Sequence, residues 1–425
     1  MAPPSPPGAG ERVSERRHSS WIPIGLTLAS VLVMGLNAVA GVSIARALSA
    51  SAYGEFSYLM GLYLLATLLG GFGLTDQAMR DIGGFRATGE RDQARQAFYA
   101  LLAARIGSGA GLIAALAVYG LAMGQPLPAL VGVAGALSMT ADFMVGVLRG
   151  FNRLGSVIAM LCVQPIAYLA LLAAGGGGRV EDILGLFCIS QGLSLLAGVG
   201  LVLLAAPGWP RRPLIDLSRV RRSGAGALQL YLVSLCSMIF NTLGSLVLGA
   251  FRHYDAAGLL SASLTLTQMA PLILGASIVS VFYPQLSALV ATGAAAEAAA
   301  TFRAFCGPLA LLALGAAVGL AVFPASALQA LYTDTYLAAS GAVLLMAPVS
   351  CLMLIELLCT WTLIAHHAER RAILALLFRT GLLGAGLLLA ALGPPGRALA
   401  TASLSYLVSS AVGCGLLCWQ AAGLG

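Results

Sequence analysis

Charged residues are scarce in this chain, and lysine is absent from it. Only 9% of the 425 residues are charged and 59% are hydrophobic, whereas ordinary soluble domains are about 25% charged and 45–50% apolar. The mean hydropathy is +0.92. A water-soluble fold is excluded, because no single core can hide this much apolar surface from water. The composition instead predicts an α-helical protein embedded in a membrane.

The chain also lacks the usual patterns of metal and catalytic sites. Its eight cysteines form no CxxC pair and none lies near a histidine, so they are interpreted as small apolar packing residues. We therefore expect no metal site and no cofactor. There is no DxD motif, no pair of catalytic carboxylates and no nucleophile–base arrangement. These absences, together with short outer loops, argue against an enzyme.

Apolar stretches of about 20 residues, the length that crosses a bilayer, recur along the chain. Twelve are predicted, at residues 21–44, 56–74, 97–119, 127–148, 154–174, 183–206, 226–250, 257–281, 301–323, 338–364, 372–392 and 398–420. Gly, Ala and Ser fill these spans and allow helices to approach closely in lipid. The sequence thus predicts an all-α, polytopic membrane protein.

The arginines alternate between the gaps that separate these spans. If the N-terminus lies inside, 17 of the 23 arginines fall in inner segments and only Arg46, Arg179, Arg252 and Arg397 in outer loops. Such a bias sets membrane orientation, because basic loops stay in the cytoplasm. We expect both termini to be cytoplasmic, in a bacterial inner membrane. The inner loops also account for the net charge of +7, so no nucleic-acid partner is implied.

The two halves of the chain repeat one plan. At an offset of 204 residues, Asn37 falls on Asn241 and Gly54 on Gly258. At an offset of 214, Asp142 falls on Glu356. We predict two six-helix lobes related by a pseudo-two-fold axis along the membrane normal, with a path for substrate between them.

The predicted boundaries follow from this repeat. A disordered cytoplasmic N-terminus (1–20) precedes an N-lobe of helices 1–6 (21–206). A basic cytoplasmic linker (207–222) leads to a C-lobe of helices 7–12 (223–420).

Four ionisable residues lie deep in the predicted spans. Each costs at least about 2.5–3.5 kcal/mol at mid-bilayer unless it is paired or hydrated. Counting 1.5 Å per residue along the helical hairpins, Arg105 is level with Asp142, and Glu356 with Arg379. Two buried ion pairs are predicted, one in each lobe. They either lock their hairpins together, or place the arginines in the cavity to bind phosphate while an acid couples transport to protons.

Several other polar residues are candidates for the same cavity. Asn37 and Asn241 occupy equivalent positions, and Gln164 and Gln268 also lie in spans. Such amides either hydrogen-bond a neighbouring helix or contact sugar hydroxyls in the cavity. Asp76 and Arg80 stand four residues apart at the inner end of the second span, which favours a surface ion pair on one helix face, with a role in coupling as the alternative.

Three segments resemble the polysaccharide flippases of the multidrug/oligosaccharidyl-lipid/polysaccharide exporter superfamily. They are ARALSASAYG at 45–54, GFGL at 71–74 and YPQLS at 283–287. The resemblance spans roughly residues 20–420. Many members have fourteen spans, and the twelve predicted here make a peptidoglycan-precursor flippase less favoured. The resemblance implies that a polyprenyl-pyrophosphate-linked oligosaccharide crosses the inner membrane by alternating access between two lobes.

Rival functions stay open at this point. A multidrug antiporter of the same superfamily would favour carboxylates in its cavity, and a membrane glycan polymerase or transferase would need catalytic loops. A scaffold without transport is a further alternative. For a flippase, the expected partners are the lipid-linked oligosaccharide and membrane lipids, with a proton or sodium gradient and a glycan polymerase as candidates.

Overall fold

The computed structural model describes residues 29, 31–71, 73–175, 178–205 and 225–423. The predicted N-terminal segment and basic linker lie outside these residues. Within them the chain is helical. The elements are α1 (Val31–Ala47), α2 (Ala50–Gly71), α3 (Leu74–Thr88), α4 (Arg91–Met123), α5 (Leu127–Gly150), α6 (Leu154–Gly175), α7 (Val180–Ala205), α8 (Ala225–Ala250), α9 (Tyr254–Ser277), α10 (Tyr283–Ala291), α11 (Ala295–Val322), α12 (Pro324–Leu331), α13 (Ser340–Ala365), α14 (Glu369–Leu392) and α15 (Pro395–Ala422).

The apolar helices confirm the membrane fold. Among the described residues, nine helices are long and apolar enough to cross a bilayer, and the bent pair α2–α3 makes a tenth. Two shorter apolar helices, α1 and the described part of α8, bring the number to the twelve that were predicted. The protein is therefore an all-α, multi-pass membrane protein with two lobes, α1–α7 and α8–α15.

The helix boundaries differ from the prediction in three places. The second span bends by 41° at Gly73 and continues as the separate helix α3, because Gly73 adopts a positive φ of 66° that ends α2. The eighth span continues through a π-helical turn, Ile278–Phe282, into α10. Between the ninth and tenth spans stands α12, which hydropathy alone did not distinguish from a loop.

The core contact between the lobes lies toward one end of the bundle. One core cluster unites residues of both lobes around Tyr53, Leu59, Tyr332 and Tyr336. The other clusters of the described residues each belong to a single lobe. We call the joined end the closed end. The arginine-rich gaps lie at the opposite end, which we call the open end, and we call the region between the lobes there the cleft.

Two glycines form the contact at the closed end. A methyl group on Gly54 would overlap the carbonyl oxygen of Tyr254, and one on Gly258 would overlap that of Ala50. These contacts are reciprocal, since both pairs are related by the offset of 204 residues that aligns the halves. The backbones of α2 and α9 therefore cross where the pseudo-two-fold axis passes, as expected for an isologous contact.

Polar contacts reinforce the closed end. The Arg46 guanidinium donates to the carbonyl oxygens of Leu331 (2.8 Å) and Ala330 (2.7 Å), at the C-terminus of α12, where free carbonyl groups favour a cation. The Tyr336 hydroxyl donates to the Ala45 carbonyl at 3.0 Å. Arg46, one of the four outer-loop arginines, therefore links α1 of one lobe to α12 of the other.

Candidate functional site

A cavity of about 400 Å³ lies inside the N-lobe, between α1, α2, α6 and α7. Three amide side chains line it: Asn37, Gln164 and Gln191. Asn37 is exposed to the cavity, Gln164 is half-buried, and Gln191 is 5% exposed. Each amide offers both donors and an acceptor. The cavity can therefore bind neutral hydroxyl groups without introducing a charge.

A hydrogen-bond chain fixes one wall of this cavity. The Gln191 amide donates to the Tyr63 hydroxyl at 3.2 Å, and Tyr63 donates to Ser138 Oγ at 2.7 Å. Gln164 makes a longer contact of 3.5 Å with Ser190 Oγ. Because Gln191 and Tyr63 are tied into the lobe, Asn37 and Gln164 are the amides most free to bind a ligand.

Aromatic rings form the rest of the wall. Tyr63 and Phe187 pack edge to face with ring centroids 5.1 Å apart, and Tyr168 and Phe187 with centroids 5.2 Å apart. Phe56 also lines the cavity. Rings held in this way present large, rigid apolar faces next to the amides. Of these side chains the sequence analysis singled out none, since an aromatic in an apolar span gives no signal of what it faces.

Asn241 and Gln268 are the C-lobe counterparts that the repeat suggested. They lie on α8 and α9, and the Gln268 amide donates to Asn241 Oδ1 at 3.2 Å. Asn241 is exposed and Gln268 half-buried. The two candidates are thus brought together and joined by one hydrogen bond, which leaves further donors and acceptors of both amides available.

Glu356 and Arg379 form the ion pair that their level placement predicted. Both are 4% exposed, and the Arg379 guanidinium carbon lies 3.6 Å from the centroid of the Phe240 ring. Gly413 makes room for the pair, since a methyl group there would lie 2.8 Å from Glu356 Oε1. The pair is enclosed within the C-lobe. Arg379 therefore does not reach a cavity wall, which differs from the expectation that it faces substrate.

Arg105 is not paired directly with Asp142, so the second predicted ion pair is wrong in this form. The Arg105 guanidinium instead donates to the carbonyl oxygens of Gly71 (3.2 Å) and Gly70 (3.4 Å) and to Thr75 Oγ1 (2.7 Å). These groups flank the break between α2 and α3, where the helix leaves carbonyl groups without intrahelical partners. Arg105, 2% exposed, therefore caps a broken helix inside the lobe.

Asp142 is exposed, although the residues that follow it in α5, from Phe143 to Leu148, are buried. Helix α5 packs against α2, α3, α4, α6 and α7, so Asp142 stands on the central helix of the N-lobe. Of the two residues that were predicted to pair, the acid is thus the more accessible and the arginine the enclosed one.

Asp76 and Arg80 lie exposed on α3. They share a helix face as predicted, yet among the ion pairs of the described residues none joins them. The physical reason is that an exposed pair gains little Coulomb energy and loses side-chain entropy. The predicted surface ion pair is therefore wrong.

Comparison with known proteins assigns the fold and the family. An inward-facing multidrug resistance MATE family transporter of the MOP superfamily is 12% identical, covers 94% of this chain and 98% of its own, and superposes with a TM-score of 0.65. A MOP superfamily transporter from Pyrococcus furiosus, described by a binding pocket of reversed polarity, is 12% identical over 95% of each chain, with a TM-score of 0.59.

The lipid II flippase MurJ, in an inward closed conformation, is 11% identical, covers 94% of this chain and 87% of its own, and has a TM-score of 0.61. Identities this low show the fold alone. No curated protein sequence matches the chain. The model of the family described as polysaccharide biosynthesis protein matches residues 24–290, more than half of the chain. This match shows that the chain belongs to the polysaccharide biosynthesis protein family.

Proposed function

We propose that the protein moves a polyprenyl-pyrophosphate-linked oligosaccharide across the bacterial cytoplasmic membrane by alternating access between its lobes. The observation that carries the proposal is the N-lobe cavity lined by Asn37, Gln164 and aromatic rings. Family membership supports the same substrate class. The chain acts as a transporter and forms or breaks no covalent bond.

The chemistry of the cavity fits sugars. A glycan carries many hydroxyl groups, and the free energy of removing them from water is large unless each finds a partner. Amide side chains supply donors and acceptors together, and rigid aromatic faces cover the apolar C–H surfaces of the rings. The lipid tail needs no such site, because it stays in the bilayer while the headgroup passes through the cleft.

The position of the closed end fits loading from the cytoplasm. The closed end contains the outer-loop residues Arg46, Arg252 and 324–339. The arginine distribution favours a cytoplasmic position for the opposite end. In this proposal, a substrate assembled inside the cell enters from that end.

The pyrophosphate role predicted for Arg105 and Arg379 requires each side chain to leave its present partners. In this conformation Arg105 caps the helix break and Arg379 is held by Glu356. We therefore assign both as positioning residues of their lobes. Direct contact with phosphate is restricted to a conformation in which these contacts open.

Asp142 favours a second candidate function. Its carboxylate lies exposed within a membrane span and is suited to bind a cation, either a proton or sodium ion that drives transport, or a cationic drug in a multidrug antiporter. The two functions depend on different side chains. Transport of a cationic drug would depend on Asp142, whereas transport of a glycan would depend on Asn37 and Gln164.

Reconstituted vesicles distinguish these functions. The full-length protein is expected to change the leaflet distribution of labelled lipid-linked oligosaccharide, with an ion gradient or without one. Asn37→Ala and Gln164→Ala should each slow this step about tenfold, the loss of one or two hydrogen bonds, while Gln329→Ala, an exposed amide on α12, should not. Export of a cationic dye that depends on Asp142, with no movement of the oligosaccharide, would contradict the flippase and establish the antiporter.

A further inference from the structure

A second and larger cavity, of about 610 Å³, lies at the open end of the C-lobe. It is enclosed by α10, α11, α13 and α15 and lies apart from the cleft residues described above. Its wall is mainly apolar, with Leu286, Phe302 and Cys418 among the lining residues. Its volume is in the range of ligand sites, about 300–1,000 Å³. An apolar cavity of this size in a membrane protein needs an occupant.

The equivalent region of the N-lobe is solid. There, Ala78 and Ile82 of α3 pack with Phe98, Leu148 and Val202 in one buried cluster. The offset of 214 residues that aligns Asp142 with Glu356 also aligns Leu148 with Thr362, which lines the C-lobe cavity. The two lobes follow one plan, yet the described residues pack in a buried cluster at this place in the N-lobe and line a cavity in the C-lobe.

The two lobes differ in how the second helix of each continues at this depth, and this explains the difference. In the N-lobe, α2 ends at Gly71 and the bend at Gly73 turns the apolar face of α3 into the bundle. In the C-lobe, α9 passes through its π-helical turn into α10 without an intervening loop. Helix α10 therefore leaves open the space that α3 fills in the N-lobe.

Basic groups stand at the rim of the cavity. Arg303 lines the cavity and is exposed, and its Nε donates a hydrogen bond to the Ala299 carbonyl oxygen at 3.3 Å. His366 lines the opposite side, at the C-terminus of α13, with Nδ1 2.9 Å from the Thr362 carbonyl oxygen. The acid nearest in sequence on α11 is Glu297, in its first turn.

The exposed Arg370 and Arg371 lie in the first turn of α14, after Glu369, whose carboxylate oxygen lies 3.9 Å from His367 Nδ1. The described charges around the opening are therefore mostly positive. The rim lies at the helix ends, where the bilayer headgroups lie, and the interior of the cavity extends toward the hydrocarbon depth.

We propose that this cavity binds an anionic phospholipid, with one acyl chain inside and the phosphate at Arg303. The apolar wall matches a hydrocarbon chain, and the basic rim matches an anionic headgroup. Anionic lipids are enriched in the cytoplasmic leaflet, where basic segments attract them, and this is the leaflet to which the arginine distribution assigns the open end. A bilayer lipid is the favoured occupant because it is always present at this depth.

Protection of a native cysteine tests the proposal. In full-length protein that retains only Cys418, which lines the cavity, alkylation by N-ethylmaleimide is measured in detergent with phosphatidylglycerol or with phosphatidylcholine of the same acyl chains. We expect phosphatidylglycerol to protect Cys418 and phosphatidylcholine to protect it much less. Native mass spectrometry should show phosphatidylglycerol retained on the protein.

Two variants and a matched control sharpen the test. Arg303→Ala should weaken retention of phosphatidylglycerol about fivefold, the effect of one basic residue near a membrane surface. Arg397→Ala, an exposed arginine at the other end of the C-lobe, should leave retention unchanged. Thr362→Leu, which introduces the residue found at the equivalent N-lobe position, should narrow the cavity and weaken the protection by phosphatidylglycerol.

Three outcomes would overturn the proposal. They are equal protection by the two phospholipids, equal retention by the Arg303 and Arg397 variants, and stronger protection by polyprenyl phosphate than by phosphatidylglycerol. The last outcome would assign the cavity to the lipid carrier instead. The proposal does not depend on the flippase assay, since no oligosaccharide is needed.

Discussion

Replacing Glu356 with glutamine leaves the Arg379 guanidinium charged and without a counter-ion inside the C-lobe. Both side chains are 4% exposed, so neither water nor lipid headgroups can substitute for the lost carboxylate. Breaking a buried ion pair by removing one partner costs about 3–5 kcal/mol. The cation–π contact of Arg379 with Phe240 is present with or without the carboxylate, so it does not offset this loss. We therefore expect a clearly destabilised Glu356→Gln protein.

The double variant Glu356→Gln/Arg379→Met separates structure from function. Removing both charges also removes their desolvation cost, and replacing a whole buried ion pair by residues of similar volume is often neutral. The double variant should therefore be more stable than either single variant. A thermodynamic cycle built from the four proteins then isolates the coupling energy between the two side chains.

Thermal unfolding in detergent, monitored by a fluorescence-detected size-exclusion assay, provides the measurement. The single variants should lower the apparent Tm by several degrees, and the double variant should recover most of that loss. The exposed residues Asp76 and Arg80, which form no ion pair within the described part of the chain, provide a control double-mutant cycle. The stability changes caused by Asp76→Asn and Arg80→Gln should be additive. If Glu356→Gln melts like the wild type, or if the double variant equals the sum of the two losses, the reasoning about this pair is wrong.

Three further predictions address other parts of the molecule. Single cysteines at positions 91 and 255, in a background without native cysteines, should be labelled from opposite sides of the membrane, and labelling of position 91 by an impermeant outside reagent would reverse the topology. Gly413→Ala should destabilise the C-lobe by about 1–3 kcal/mol in thermal unfolding because its methyl group overpacks the ion pair; an unchanged Tm contradicts this. Arg105→Lys should lose part of the cap on the helix break, since an ammonium lacks the planar fork, and hydrogen exchange near Thr75 should rise; equal exchange in the variant would show that the cap is dispensable.

Much of the fold could be predicted because the hydrocarbon core of a membrane offers the backbone no hydrogen-bond partners. A span in lipid must satisfy its own peptide groups, so apolar length alone located the helices to within a few residues. The repeat aligned Gly54 with Gly258, and the structure brings these two positions into contact, since two backbones can cross closely only where side chains are absent. What hydropathy missed was α3, because a helix with one polar face has no long apolar run.

The candidate site was less accessible to sequence reasoning. Depth along a hairpin placed Glu356 beside Arg379 correctly, but the same argument failed for Arg105 and Asp142. The difference is the break after Gly71, which offers free carbonyl groups at the same depth and competes for the guanidinium. The depth of a residue in the membrane does not say on which face of its helix the side chain lies. In uniformly apolar spans, no periodic pattern of polar residues indicates that face. For this reason Tyr63 and Phe187 could not be assigned to the cavity wall in advance.

The glycine contact at the closed end makes the balance between conformations adjustable by a single methyl group. The contact of Gly54 with Tyr254 exists only while the lobes touch at that end, so a side chain there disfavours that state without affecting the packing within either lobe. Each 1.4 kcal/mol of such a penalty multiplies the ratio of the two states about tenfold. Substitutions at this crossing therefore change the fraction of time that the protein is open to each side of the membrane. The site that sets this conformational equilibrium is physically separate from the substrate cavity.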